Sequence, residues 1–513
     1  MPTITRRTFL RSTGAAAAAL AAVRLPGAWA AAQRPDALFT LGVASGDPLA
    51  DGVVLWTRLA PDPLAPDPVL SKPVTVQWEI AEDEAFSKMV GRGGVDAIQE
   101  SAHSVHVDAR GLQPARWYWY RFRAGSEISP VGRTRTAPAA GAMPERLRFA
   151  FASCSQYEHG FFTAYRRLAE EDLDLAVHLG DYIYEYPAGG YVAPGGNVRA
   201  HLGPEPTTLA EYRQRYAQYK TDPDLQAAHA ALPWVVTWDD HEVENNYAGL
   251  VPEHGQPLGP FRARRAAAYR AYWEHQPLRP LGVDFTLYRR LAFGRLAAFN
   301  VLDTRQYRTD QPCGDVSPGQ CPRRSDRAAT ITGPEQERWL IDGLDRSTAR
   351  WNVIAQQVFL SQLDLVEGPD QGFAMDSWDG YVASRDRLLG FIAQRRPANP
   401  VVLTGDRHAN WMADLKADFA DPGSATLGTE FVGTSITSGG DGADSTPEGE
   451  AILRENPHTH FFNNQRGYVR CEVTPEQWRA DYRVVGYVQR PGAPITTRAS
   501  FVITNGIPGA HPA

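Results

Sequence analysis

The sequence predicts an α/β chain, a two-sheet sandwich flanked by helices, behind an N-terminal all-β domain of immunoglobulin or fibronectin type. Three observations lead there. At 513 residues the chain is too long for one ordinary core. Up to about residue 135 it shows only strand-like alternation broken by Gly, Pro and Asp. Beyond residue 145, short β-branched runs alternate with segments of helical spacing, the pattern of an α/β domain.

The first thirty residues read as a processing segment. TRRTFLR carries twin arginines, GAAAAALAAV is weakly apolar, and GAWA offers small residues for cleavage. The apolar part falls well short of the ~20 residues of a membrane span. This pattern resembles a Tat signal peptide over residues 1–30 and implies the Tat translocation machinery as a partner and a periplasmic or secreted destination. The whole chain carries −7; losing four arginines and no acid with residues 1–30 leaves −11. Such acidity argues against specific or non-specific nucleic-acid binding. No later segment reads as a membrane span, and the expectation is a monomer.

Residues 36–138 are read as the β-sandwich domain. GVVLWTRL, VTVQWEIA and SVHVDARGL are its strands. In GLQPARWYWYRFRAG, Leu112, Pro114, Tyr118 and Tyr120 fall on alternate positions, as in the tyrosine corner of such sandwiches. TAPAAGAMPE, residues 136–145, is a linker. Residues 145–505 form the second domain. Its strands include RLRFAFAS, DLAVHLGD, PWVVTWDD, WNVIAQQV and PVVLTGD. Its helices include FFTAYRRLAEED, TTLAEYRQRYAQYK opened by a Thr, FRARRAAAYRAYWEHQ, GPEQERWLIDGLD with Pro at its start, and SRDRLLGFIAQRR. YRRLAFGRLAAFNVLD and residues 430–503 add strands for a second sheet. PAGGYVAPGGNVRAHLGPEP and TSGGDGADSTPEGE read as Gly/Pro-rich loops at a pocket mouth.

Of four cysteines, Cys313 and Cys321 sit in the loop QPCGDVSPGQCP, where a disulfide is the natural reading for an exported protein. Cys471 lies in an alternating strand. Cys154 ends a buried strand without an obvious partner, and a Cys154–Cys471 bridge stays open as an alternative.

Function is read from four strand ends, where open α/β sheets gather their chemistry. FAFASCS ends at Cys154; AVHLGDYIY carries Asp181 and Tyr184; VVTWDDHEVENN carries Asp239, Asp240, His241 and Asn246; VVLTGDRHANW carries Asp406 and His408. Each alone is an ordinary turn or helix start. Together they offer carboxylates, tyrosine, histidine and a thiolate, which suit a transition metal such as iron, and a carboxylate-rich position suited to calcium or manganese.

FASCS, GDYIY, DDHE and GDRH resemble the motifs of the PhoD-like alkaline phosphatases, relatives of the calcineurin-like metallophosphoesterases and purple acid phosphatases. FTLGVASGDPLADGVVLWTRL is similar to the opening of that family's N-terminal domain. The resemblance implies a metallophosphoesterase domain over 145–505 holding one Fe³⁺ with one or two Ca²⁺. It implies Cys154, Asp181, Tyr184 and His408 as iron ligands, with Asp181 bridging, and Asp240, Asn246 and Asp406 at calcium. Asp239 stays an alternative to Asp240. His241 is then the catalytic histidine; Arg407, next to two of these ligands, is read as a bidentate phosphate contact or as a surface ion pair. The implied activity is that of a secreted metal-dependent alkaline phosphatase, in which a metal-activated water attacks a phosphate ester. Three rivals stand beside it: a phosphodiesterase or phospholipase D-like hydrolase of the same fold, a hydrolase using Cys154 as nucleophile with His241, and a non-catalytic exported binding protein.

Overall fold

The structure is a computed structural model that describes residues 37–65, 70–314, 319 and 321–513; the leader read over residues 1–30 lies outside them. Among the described residues, eight strands build the N-terminal part: β1 Val43–Leu49, β2 Gly52–Arg58, β3 Val74–Ala81, β4 Met89–Ala97, β5 Ser104–Arg110, β6 Trp117–Ala124, β7 Glu127–Ile128 and β8 Gly132–Arg135. One sheet runs β4-β3-β6, with β7 and β8 also on β6; the facing set runs β1-β2-β5. The expected alternation is visible in β6, where Tyr118, Tyr120 and Phe122 turn inward while Trp117, Trp119 and Arg121 do not. They pack with Val53, Leu55, Val76, Ile80 and Val105. The Tyr118 hydroxyl accepts from the Gln113 backbone N–H at 2.8 Å, which is the tyrosine corner read from the sequence.

The second part contributes β9 Leu147–Ala152, β10 Leu175–Leu179, β11 Pro233–Thr237, β12 Arg289–Phe293, β13 Ala297–Val301, β14 Trp351–Ala355, β15 Pro400–Thr404, β16 Asn410–Lys416, β17 Thr426–Val432, β18 Gly442–Ala443, β19 Thr459–Val473, β20 Gln477–Val485, β21 Ile495–Thr504 and β22 His511–Pro512. One sheet holds β11, β10 and β9 in parallel, then β19, β20, β21 and β22 antiparallel. The other runs β12-β13-β14-β15-β17-β16 and ends on β19 again. The 15-residue β19 therefore belongs to both sheets: its start pairs with β16 and its end with β9 and β20. Gly467 sits in the stretch where it changes partners, at φ +155; a Cβ there would lie 1.9 Å from the Arg483 carbonyl.

The strands that lead to the polar ends, β9, β10, β11 and β15, are buried on both faces. In β9, Phe149 and Phe151 enter the core between the sheets with Val177, Phe299, Val353 and Leu403. Ala150 and Ala152 face outward, under Tyr165 and Leu168 of α1 Thr163–Glu170. That outer layer continues with α2 Leu209–Lys220, α3 Pro223–Ala231 and α4 Leu258–His275; α5 Gly333–Asp345 and α6 Val382–Arg395 cover the other sheet. Thr208 caps α2 in a capping box with Glu211, as its opening Thr foretold. α3 was not anticipated, although Asp222 as cap and Pro223 behind it announce it. The stretch TSGGDGADSTPEGE, expected as loop, is helical from Pro447 in α7 Pro447–Glu455. Thr446 accepts from Gly449 N–H, and Ile452 packs near Phe359 and Trp411. Among the described residues no helix is long and apolar enough to cross a membrane. Cys313 and Cys321 are joined in a disulfide; Cys154 and Cys471 are both free and buried, so the alternative bridge between them is not formed.

Candidate metal centre

The four polar strand ends converge. β9, β10 and β11 are neighbours, so Cys154, Asp181 and the Asp239–Asp240 pair leave one sheet side by side. β15 ends in the facing sheet, and the sandwich brings its end onto that of β9: a Cβ on Gly405 would sit 2.8 Å from that of Ser153. Gly180, at φ +105, has no room for a Cβ because Asp239 Cβ would be 2.4 Å away. The backbone is bent hard here. Cys154, Asp181, Asn246, Asp406 and His408 all adopt positive φ, between 51° and 61°. Left-handed non-glycine residues cost about 1–3 kcal/mol each and gather at functional sites.

Three groups of ligand atoms, each within 4.8 Å of one another, chain together: Cys154, Asp181 and His408; Asp181, Asp240 and His241; Asp239, Asp240 and Asp406. Asp181 belongs to the first two and Asp240 to the last two. The Tyr184 hydroxyl donates to Asp181 Oδ2 at 3.0 Å, accepts from Ser438 Oγ at 2.8 Å, and lies 3.0 Å from His408 Nε2. Asn246 adjoins the third group, its backbone N–H donating to Asp240 Oδ2 at 2.7 Å. Arg407 lies between Asp406 and His408, its Nε buried with no hydrogen-bond partner. His241 stacks on Tyr184 at 4.2 Å between ring centres, and Glu185 Oε2 lies 2.8 Å from its Nδ1. Every residue singled out in the sequence is thus in one place.

The donor set fits cations. Asp181, Asp239 and Asp240 each have one oxygen engaged by the protein: by Tyr184, by Arg305 and by the Asn246 amide. Each also keeps one buried oxygen without a hydrogen bond: Asp181 Oδ1, Asp239 Oδ2 and Asp240 Oδ1. Buried acceptors are ordinarily satisfied. Burial, and then the neighbouring carboxylates, push Asp181 and Asp406 above the usual carboxylate range, Asp406 to about 6. Asp239 is pushed up as well, by burial first and against the pull of Arg305. Asp240 is held low: Arg305, His241 and the Asn246 amide outweigh its burial. Burial, then Asp181, also raise the Cys154 thiol. Positive charge among these groups would remove the repulsion and satisfy the oxygens together. Cys154 Sγ donates to Ser153 Oγ at 3.1 Å, while His241 Nδ1 is taken by Glu185.

Other participants were missed. Arg305, fully buried, pairs with Asp239 and Asp240 and makes a two-pronged bridge to Asp376. Glu242, pushed up to about 7 chiefly by burial, accepts from the amides of Asp181, Tyr182 and Asp239, so it ties the β10 and β11 loops together. Signals existed: Glu242 is the last residue of DDHE, Glu185 follows Tyr184, and Arg305 lies just beyond the end of β13, a strand end like the other four.

Comparison with known proteins agrees with this geometry. Residues 149–482 match the model of the PhoD-like phosphatase, and residues 25–138 that of the PhoD-like phosphatase N-terminal domain. Alkaline phosphatase D of Bacillus subtilis (strain 168) is 56% identical over 468 residues, covering 90% of this chain and 80% of that protein. The solved structure of PhoD is 55% identical, superposes with a TM-score of 0.91, and covers 93% of this chain and 92% of that one. Matched along nearly its whole length, with metal-capable groups at its strand ends, the chain belongs to the PhoD-like phosphatase family and is a phosphoric ester hydrolase.

Proposed function

We propose that the chain is an exported alkaline phosphatase in which Cys154, Asp181, Tyr184 and His408 hold one Fe³⁺ and Asp181, Asp240, Asn246 and Asp406 hold one or two Ca²⁺. The observation that carries this is the chain of three ligand groups sharing Asp181 and Asp240. Asp239, also in the third group and with one oxygen free of hydrogen bonds, stands beside Asp240 at the calcium position. The thiolate and imidazole of the first group favour a transition metal, and the all-carboxylate third group favours calcium.

When bound, such ions neutralise the ester's charge and make a water nucleophilic near neutral pH. The protein does the rest. Arg407 offers a planar fork to two phosphate oxygens. Glu185 fixes the His241 ring through Nδ1, leaving Nε2 to hold a proton for the departing alkoxide. The division into a sandwich over 36–138 and a catalytic domain over 145–505, the Tat leader over 1–30, the periplasmic or secreted destination and the monomeric state complete the proposal.

Elemental analysis of protein purified from its native compartment tests it. One iron per chain with calcium is expected. Cys154→Ala should lose the iron and Asp240→Ala the calcium, each with at least a ~100-fold fall in para-nitrophenyl phosphate hydrolysis. Full iron occupancy and unchanged activity in Cys154→Ala would eliminate the iron assignment. Parallel assays with the bis-para-nitrophenyl ester separate monoesterase from diesterase action.

A further inference from the structure

Between β10 and α2 the chain makes a long loop without helix or strand, rich in Gly and Pro. It carries Tyr186 and Tyr191, both half-buried. Their rings meet edge to face at 5.5 Å. Tyr186 lies 5.4 Å from the His241 ring, and Tyr191 lies 6.4 Å from Tyr184. Both rings belong to the same aromatic cluster as His241. Val192, 59% exposed, continues the apolar surface outward.

A loop of this composition has no intrinsic reason to hold one shape, yet buried groups pin it. Glu158, 1% exposed, accepts from Gly189 N–H, Asn197 Nδ2 and His201 N–H. Asn197 donates to the Tyr191 carbonyl and accepts from Ala193 N–H. His159 donates through Nε2 to the same Tyr191 carbonyl, while its Nδ1 accepts from Gly439 N–H. Its ring packs against that of Tyr191 at 4.4 Å. Side chains locked by such buried contacts act as preformed surfaces.

We propose that Tyr186 and Tyr191 form the subsite for the organic group of the ester, and that they select esters whose leaving group carries a flat ring. This rests on the phosphatase reading of the same site. If His241 serves the leaving oxygen, the group attached to that oxygen lies beside His241, and these two aromatic faces stand there. Offset or edge-on packing of a ring against them adds about 0.5–1.5 kcal/mol beyond area burial, a factor of roughly 2 to 12 in affinity. A small aliphatic group gains little of it.

The test is equilibrium binding to the metal-loaded enzyme of phenylphosphonate, methylphosphonate and inorganic phosphate, beside steady-state kinetics with para-nitrophenyl phosphate and glycerol phosphate. Tyr191→Ala and Tyr186→Ala should each weaken phenylphosphonate about three- to tenfold and raise KM for the aryl ester in proportion. Methylphosphonate and phosphate should stay within twofold. Tyr191→Phe should behave as wild type, because the ring and not the hydroxyl is used. Equal weakening of all three probes would make the tyrosines structural supports of the metal centre and overturn the proposal. So would equal retention of all three. If the unmodified enzyme bound no probe and cleaved neither ester, the phosphatase reading itself would fall, an outcome distinct from loss of ring preference alone.

Discussion

At the scale of single residues, the centre is an arrangement of carboxylates that would repel one another without counter-charge. Arg305 supplies part of it from behind. It is fully buried and pairs with Asp239, Asp240 and Asp376 at once. Removing one partner of a buried ionic cluster leaves the others uncompensated, typically at about 3–5 kcal/mol. Arg305→Met is therefore expected to lower stability by that order, read from the midpoint of urea denaturation. A change below about 1 kcal/mol would mean that the carboxylates do not depend on it. Glu185 acts differently. It fixes His241 and also accepts from Asn245 N–H at 2.7 Å. Glu185→Ala should free the imidazole to rotate and lower kcat about 100-fold while KM moves by less than threefold. A rise in KM with kcat intact would assign Glu185 to substrate binding. The metal-capable residue types were legible because each sits at the carboxyl end of an apolar run, in its own motif. Asp376 and Ser438 were not, since their meaning lies in pairings 71 and 254 positions apart. Such pairings leave no local pattern. Asp239 and Asp240 share a motif as adjacent residues, and only coordinates show that Arg305 pairs with both and that the Asn246 amide donates to Asp240.

At the scale of elements, the strands that carry the site were readable because both their faces are buried, giving short apolar runs with abrupt polar ends. Runs such as PWVVT and PVVLT have no other reading between their flanking helices. The long helices were readable from caps and spacing. α7 was not, because its nine residues follow a Gly-rich stretch and bury few side chains, so composition outweighed the Thr-Pro start. Nor could the sequence show that β19 serves two sheets, since the change of partner is a matter of register. Gly467 makes that change possible. Gly467→Ala would place a Cβ against the Arg483 carbonyl and strain a left-side φ, a cost of about 2–5 kcal/mol. Thermal unfolding should show a Tm lower by several degrees, whereas Gly141→Ala, with nothing within 4 Å of its added carbon, should stay within about 0.5 kcal/mol. Equal effects of the two would remove Gly467 from any role in the shared strand.

At the scale of the whole molecule, the N-terminal β region is built into the catalytic part. The described residues, from 37 to 513, form one compact unit. β1 pairs in parallel with β11, the strand that leads to Asp239 and Asp240. Trp56 Nε1 donates to the Glu274 carbonyl at 3.0 Å, and Arg58 NH1 donates to His275 Nε2 at 2.7 Å. His106 of β5 completes the join. Its ring stacks on Trp273 of α4 at 4.3 Å, and its Nε2–H is shared between the carbonyls of Trp273 and Gln276, each at 3.0 Å. Burial, opposed by those two carbonyls and assisted by Lys220, brings this imidazole down from 6.5 to about 4. The fold therefore holds His106 neutral. Above pH 6.5 neither the folded nor the unfolded chain protonates it, and its contribution is intact. Between 6.5 and 4 the unfolded chain takes up the proton and the folded one does not, so stability falls as pH falls; below about 4 both are charged and the loss is complete. The loss amounts to at most about 3 kcal/mol. His106→Gln keeps an amide N–H for the carbonyls but cannot titrate. Urea midpoints measured from pH 7 to pH 4 should show the variant weaker at pH 7 and the gap to wild type closing toward pH 4. A gap independent of pH would show that the join between the two regions does not carry this proton.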